Sequence, residues 1–422
     1  MSTEIDKLIN FTKEALTLDR YILKRYHLYE KTNIFNEISY TLTMEWFPDH
    51  LKEWEDTDIN PNGTAVIEID IEQRKFVSII FVGGKTYVDE PLLNDVTKSN
   101  VVQWIEQETE LIYDEQFQLQ SSVNNEFSFV ASFHKIPIYP PANIDIKFDH
   151  SGKLVHYSIH GFFPDKTLIN VETYTLSRSQ IEQIARNQLK FIKFPDDKRK
   201  QLRSIYGIEE VFITNNSLRP IVYDPSLDER QVVEMNKNIK WQSPLQSNFI
   251  ERDLNLSAEV SMDQALSKER KKVLKQLTKD DQMKCFNTVK DFLRQQYATD
   301  SGKWQLNKLY RENNYIVAIV RPIEKTNFIF KRKLTVYIDQ QSFKIVNYID
   351  NKFMLDVFAD YRKPERPIVT KENAYEQLTE RITVEPVYVF DPDYNKYILC
   401  GKLDCQYGLD AVSGDIIHLD HL

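Results

Sequence analysis

The chain has 422 residues, 41% apolar and 12% aromatic, with 63 acidic against 54 basic residues for a net charge of −9. That length leaves room for several domains with cores of their own, and the composition excludes a disordered or low-complexity chain. The acidic balance argues against a dedicated nucleic-acid binder, which carries a net basic footprint, and only 10 glycines, where average usage gives roughly 30, nearly exclude phosphate-cradling loops.

Three cysteines, Cys285, Cys400 and Cys405, provide no disulfide framework and suit a reducing compartment. The first thirty residues are charged throughout, without the apolar core of a signal peptide. The longest apolar run found elsewhere, Tyr315–Val320, is too short to span a bilayer. A cytoplasmic protein with no membrane span is expected.

In chain order, Asp58, Asn60, Asn62 and Gly63 imitate the start of a calcium loop, but Ile69 stands where the bidentate glutamate belongs. Asn-Gly predicts a hairpin turn there instead. After Thr97 and Ser99, Val101, Trp104, Ile105, Leu111 and Ile112 recur at helical spacing. Strands are predicted over Phe127–Phe133, Ile144–Phe148 and Leu154–Ile159. His156 and His160 are the right pair for zinc on a helix, but in an alternating strand they stand roughly 13 Å apart. They read as strand histidines, not ligands.

Ser177 and Gln180 form a predicted capping box, followed by Ile181, Ile184, Ala185 and Leu189 on one face. Asn236–Ser257 lacks periodicity and reads as a linker. Lys268, Lys272, Lys275 and Lys279 line a helical face opposite Leu266, Val273 and Leu277, which reads as a solvated connecting helix. Strands are predicted again over Tyr315–Val320, Phe328–Ile338 and Ile345–Ile349. Pro364 and Pro367 then mark a boundary. Thr370 caps a helix bearing Ala374, Leu378 and Ile382, and strands Val387–Phe390, Tyr397–Leu403 and Ile416–Leu419 complete the chain. Cys400 and Cys405, with Cys285, His418 and His421, read as packing groups and not as a zinc set. The stretch 391–396, "DPDYNK", has Lys396 where a calcium loop needs glycine.

Four stretches share one pattern: "AVIEIDIEQRKFVSII" (65–80), "IDIKFDHSGKLVHYSI" (144–159), "LTVYIDQQSFKIVNYI" (334–349) and "LDAVSGDII" (409–417). Each reads as a strand, an aspartate, a turn and a return strand. Asp149 and Asp410 are expected to accept turn amides, and Gly414 to adopt positive φ. Such recurrence indicates duplicated modules.

The segments 123–159, 369–378 and 395–420 resemble PepSY-type modules of the bacterial YcdB/YcdC-repeat proteins. The last includes their Asp-Ala-x-Ser/Thr-Gly turn, whereas His134-Lys135 stands where the family has Asn-Gly. The resemblance runs from about residue 93 to the end, with 200–280 poorly matched. It implies an α+β fold of tandem modules, each a helix packed on a curled antiparallel sheet. The expected partition is an N-terminal α+β module over 1–92 and PepSY-like modules over 93–170, 171–235 (degenerate), 281–362 and 363–422. Between the third and fourth, 236–280 is a linker and connecting helix.

No Gly-x-Ser-x-Gly, catalytic-cysteine or helix-borne His-Glu pattern occurs. No catalytic, cofactor-binding or metal residue is assigned, and no cofactor is expected. The resulting expectation is a non-catalytic protein-interaction protein whose partner is another protein, one that inhibits or chaperones a partner such as a hydrolase. The sequence leaves open two alternatives: a hydrolase whose site lies between modules, and a structural self-assembling protein.

Overall fold

The structure, a computed structural model, describes residues 3–33, 35, 37–51, 59–221, 232–247, 249–266, 276–324, 326–391 and 394–422. Five times along the chain a helix is followed by strands. Helix α1 (Thr3–Ala15) precedes β1 (Tyr21–Thr32), β2 (Ile38–Pro48), β3 (Ala65–Asp70) and β4 (Phe76–Phe81). Helix α2 (Lys98–Thr109) precedes β5 (Phe117–Val123), β6 (Glu126–Phe133), β7 (Ile136–Tyr139), β8 (Asn143–Phe148) and β9 (Leu154–His160). Helix α3 (Arg178–Gln188) leads into β10 (Leu189–Asp196), β11 (Gln201–Ile208), β12 (Val211–Thr214) and β13 (Pro220–Ile221). Strand β14 (Val233–Ile239) and the single turn α4 (Met262–Ala265) come next. Helix α5 (Lys279–Gln296) then introduces β15 (Trp304–Glu312), β16 (Tyr315–Pro322), β17 (Leu334–Asp339), β18 (Ile345–Asp350) and short α6 (Lys352–Asp356). Last are α7 (Lys371–Leu378), β19 (Thr383–Asp391), β20 (Lys396–Asp404), β21 (Tyr407–Asp410) and β22 (Ile416–His418). The fold is α+β, with few helices and mostly strands in open sheets.

Local chemistry sets the helix bounds. The Thr97 hydroxyl accepts the Asn100 N–H at 3.3 Å to start α2. Glu110, at a left-handed φ of 64°, stops it, so Leu111 and Ile112 lie beyond the helix expected to carry them. The Ser177 N–H donates to Gln180 Oε1 at 2.8 Å at the head of α3. Thr370 caps α7 through the Asn373 N–H. A capping box of Thr278 and Asp281, not anticipated from the sequence, opens α5.

Two compact units emerge, each built from three stretches of chain. The first comprises Met1–Glu172, Ala258–Leu274 and Val387–Ile398. Its strands run in the order β1-β2-β3-β4-β9-β8-β6, with β5 and β7 also paired to β6, all antiparallel, and the 387–391 stretch pairs with β7 in parallel (Tyr388↔Ile138). The last strands of the first two sets, β4 and β9, pair directly, so α1 and α2 bury their apolar sides in a single core. Ile5, Leu8, Leu42, Ile67, Val101, Ile105, Phe129 and Ile144 are all buried there.

The second unit comprises Thr173–Ser257, Lys275–Pro386 and Leu399–Leu422. Strands β14 to β18 form a five-stranded antiparallel sheet in chain order. One face packs on α5 through Cys285, Val289, Phe292 and Leu293. Its other face carries Tyr310, Tyr315, Val317, Tyr337 and Val346. The remaining strands exchange partners: β11 pairs β21 (Ile205↔Asp410), while β12 pairs β20 (Ile213↔Gly401). The stretches that begin at α3 and α7 therefore share sheets and one core, where Ile181 and Ala185 meet Ala374, Tyr375 and Leu378.

One predicted strand is shorter than expected. Of Phe328–Ile338 only Leu334–Asp339 is a strand, because Phe328 and Phe330 are drawn instead into ring contacts with Phe358 at 5.5 Å each. Among the described residues no helix is long and apolar enough to cross a membrane.

Leu306 is fully buried in the core between α5 and the five-stranded sheet. Leu306→Ala is expected to cost about 3 kcal/mol, from lost transfer energy and the cavity left behind. Exposed Val171→Ala should change stability by less than about 0.5 kcal/mol. Urea denaturation followed by tryptophan fluorescence checks both.

Candidate functional site

The recurring aspartates serve one structural purpose. In β3–β4, Asp70 Oδ1 accepts the Glu72 and Gln73 amides at 2.9 and 2.7 Å. Between β8 and β9, Asp149 accepts the Ser151 and Lys153 amides at 2.8 and 3.0 Å. Between β17 and β18, Asp339 accepts the Ser342 amide at 2.8 Å and its hydroxyl at 2.6 Å. Between β21 and β22, Asp410 Oδ1 accepts the Val412 and Ser413 amides at 2.9 and 3.2 Å.

The main chain closes three of these loops identically. The amides of Asp70, Asp339 and Asp410 donate to the carbonyls of Lys75, Lys344 and Asp415, and Arg74, Phe343 and Gly414 take positive φ just before. The sequence pattern missed a fifth copy between β12 and β13. There the Thr214 amide donates to the Arg219 carbonyl, Leu218 has φ of 54°, and the Thr214 hydroxyl accepts the Arg219 amide at 2.9 Å. Threonine replaces aspartate as turn acceptor, which conceals the match in sequence. Gly152 shortens its loop by one residue, and a side chain there would meet the Leu93 carbonyl at 2.3 Å.

Asp410 also borders a cleft of about 460 Å³ lined by β10, β11, residues 364–365 and the β21–β22 turn. Arg203 donates to Asp410 Oδ2 through Nη2 at 2.7 Å and Nε at 3.1 Å. Burial raises the Asp410 pKa, but the Arg203 hydrogen bonds and the turn amides outweigh it and hold the group below the usual aspartate value. Asp196, Glu365 and Asp415 add acids to the lining; Lys198 and Arg199 add cations. Ser204, almost fully buried, also borders the cleft, and its hydroxyl has no hydrogen-bond partner. The cleft is thus a polar surface of mixed charge. Arg203 and Asp410 are 207 residues apart, so no local signal announces them.

The other residues singled out by sequence lie apart. His156 and His160 both sit on β9, and His156 Nε2 meets the Ser158 hydroxyl at 3.3 Å. Burial lowers the His156 pKa, only partly offset by Asp145 and Glu126. All three cysteines are buried, and none is in a disulfide. Cys285 lies on the buried face of α5, where burial pushes its thiol up to about 12, while Cys405 lies in the core of α3 and α7. The His418 and His421 rings are 5.4 Å apart at the chain end. Among the described residues no group of three or more His, Cys, Asp or Glu gathers to hold a metal. Asn60 accepts from Arg25 at 3.5 Å and Gly63 has φ of 89°; Asp58 lies outside the described residues. Lys268, Lys272 and Lys275 also lie outside them, as do residues 392–393 of the "DPDYNK" stretch, and Lys279 opens α5.

Three strands at the ends of their sheets take up an extended segment of the same chain. At β1, the Glu30 amide donates to the Ala258 carbonyl and the Val260 amide to the Leu28 carbonyl, both at 2.8 Å. At β10, Lys193 exchanges hydrogen bonds with Asn327 and Ile329 at 2.7 and 3.0 Å. At β18, the Arg252 amide donates to the Val346 carbonyl at 3.0 Å. Main-chain pairing of this kind recognises an extended backbone whatever its side chains.

No family model and no curated protein matches the sequence. Among solved structures, the Bacillus megaterium YpeB C-terminal domain matches at 9% identity, covering 82% of this chain and 96% of that one, with a TM-score of 0.25. It is a distant structural neighbour, and the α+β description stands on the chain's own elements.

Gly414→Val places a β-branched residue at φ of 80° and should destabilise by about 2 kcal/mol. Gly414→Asn, better suited to this region, should cost less, and His418→Ala little. Equal losses in all three, measured by thermal unfolding, would contradict the turn assignment. Because the Asp410 pKa is lowered by folding, its stabilisation is full above the ordinary aspartate value near 3.9 and disappears as pH falls through the folded value. Asp410→Asn should therefore flatten the acid limb of a stability–pH curve; an unchanged limb counts against the pair.

Proposed function

We propose that this chain is a non-catalytic protein-interaction protein of tandem PepSY-like modules, of the YcdB/YcdC-repeat type, that restrains or chaperones a partner protein by engaging an extended segment of it. The observation carrying this reading is that the ends of three sheets, β1, β10 and β18, already bind extended backbone through main-chain hydrogen bonds. A sheet with a helix on one face and a strand at its margin has the geometry for strand addition. The module partition 1–92, 93–170, 171–235, 281–362 and 363–422 belongs to the same proposal. So does a cytoplasmic setting, in which the three buried thiols stay reduced.

A hydrolase is the second reading, and the cleft beside Asp410 is the observation that favours it. Against it, Asp410 is held ionised by Arg203 and two turn amides, an arrangement suited to tying β11 to the β21–β22 turn and not to donating a proton.

Affinity capture from the native host under gentle conditions, followed by hydrogen exchange on the complex, separates the readings. A co-purifying protein that protects strand-margin amides is the expected result. Turnover of a substrate by the purified chain, with nothing co-purifying, would sink the proposal. Light scattering showing concentration-dependent assembly would instead favour self-association.

A further inference from the structure

The margin of the five-stranded sheet at β18 is occupied in an unusual manner. The segment from Trp241 first follows the end of α5, where the Leu245 amide donates to the Arg294 carbonyl at 3.2 Å. Phe249 then enters a notch on the helix side, its ring 5.3 Å from Phe292 and 6.0 Å from Tyr348. At Arg252 the backbone crosses the margin: its amide donates to Val346, and its carbonyl accepts from Asn347 Nδ2 at 2.9 Å. Leu254 packs on the opposite face, against the cluster of Tyr310, Tyr315, Val317 and Val346. The Asn255 amide donates to the Tyr315 hydroxyl at 3.0 Å.

Two features make this more than a covered margin. The register of β17 and β18 shifts at Val346, leaving that residue without a cross-strand partner, and its carbonyl receives the Arg252 amide. A bulge leaves its extra residue unpaired in the ladder; here that residue presents an acceptor. The segment is also held lightly. Both anchors, Phe249 and Leu254, are only half-buried, and Ile250 between them is 76% exposed. Lightly buried backbone opens locally at low cost.

We propose that Phe249–Asn255 is an internal occupant of a peptide-binding site, and that an extended segment of a partner protein bearing an aromatic residue and, five positions later, an aliphatic one displaces it. The proposal rests on the strand-addition reading above and names the margin and the ligand class. The aromatic anchor fits against the touching rings of Phe292 and Tyr348, the aliphatic anchor fits the tyrosine-rich face, and the backbone between them pairs at Val346. While the internal segment is in place, the site is competent only in the fraction of molecules where it has opened, which weakens apparent affinity by that fraction.

The test uses a fluorescently labelled peptide of residues 247–257, "SNFIERDLNLS", with the full-length chain, and anisotropy as the readout. A Phe249→Ala/Leu254→Ala variant should bind it at least about tenfold more tightly than the wild-type chain does. The same peptide with alanine at both anchors should not bind. Arg252→Pro, which removes the amide donor together with the Arg252 Nη2 bond to the Ile345 carbonyl at 3.5 Å, is the second variant and should shift affinity in the same direction. Native-state hydrogen exchange on the wild-type chain needs no variant. The Arg252 amide should exchange by local opening, well before the β16 amides.

Absence of peptide binding in folded variants, or exchange of Arg252 only together with β16, overturns the proposal. If that happens while a captured partner protects another strand margin, the interaction function stands and only this site fails. Should no partner be captured although the peptide binds the opened variants, the site stands and the wider function fails.

Discussion

An antiparallel sheet that does not close on itself leaves a row of unpaired amides and carbonyls at each end, and this chain is organised around covering them. Burial of apolar side chains holds the sheets to their helices, but it does nothing for a strand with a backbone partner on one side only. The response at β1, β10 and β18 is the same: a short extended segment from elsewhere in the chain supplies one or two main-chain hydrogen bonds. Segment 249–260 serves two of these margins, β18 through Arg252 and β1 through Ala258 and Val260. Within the stretch 236–257, read as a linker for its lack of periodicity, Arg252 pairs with β18.

The hairpins solve a related problem. Turning a chain through four residues exposes amides that water or a side chain must satisfy, and Asp70, Asp149, Asp339 and Asp410 do so with a carboxylate. Thr214 does it with a hydroxyl. Where the turn reaches a crowded neighbour, as at Gly152 beneath Leu93, glycine is required; elsewhere Arg74 and Phe343 take positive φ, with Arg74 bonded to Glu4 and Phe343 packed on the α5 core. The closure is common to these turns, whereas the side chains that carry it differ.

Exchange of hairpins between the α3 and α7 stretches adds a further constraint. Because β11 pairs with β21 and β12 with β20, neither stretch satisfies its backbone alone. The Arg203–Asp410 pair lies at this junction, where a turn acceptor also receives a guanidinium. The cleft beside it follows from that packing, and the aspartate that looked most like a site residue is committed to holding two pieces of chain together.

The sequence by itself determined the α+β character, the caps at Ser177 and Thr370, and the turns at Asp70, Asp149, Asp339 and Asp410, because each depends on residues within a few positions of one another. It also made the α2 and α3 faces legible through their spacing, although the αL residue Glu110 that shortens α2 carried no advance signal. It did not reveal β1, whose charged alternation "YILKRYHLYEKT" reflects a largely exposed strand, nor the hydroxyl-based turn at Thr214. Only the tertiary structure decided which strands pair across exchanged hairpins, which margins receive the linker and where Arg203 finds its acid. Those choices join residues tens to hundreds of positions apart, and the pairings rest on backbone hydrogen bonds whose donor every residue except proline carries, so the side-chain pattern holds no record of them.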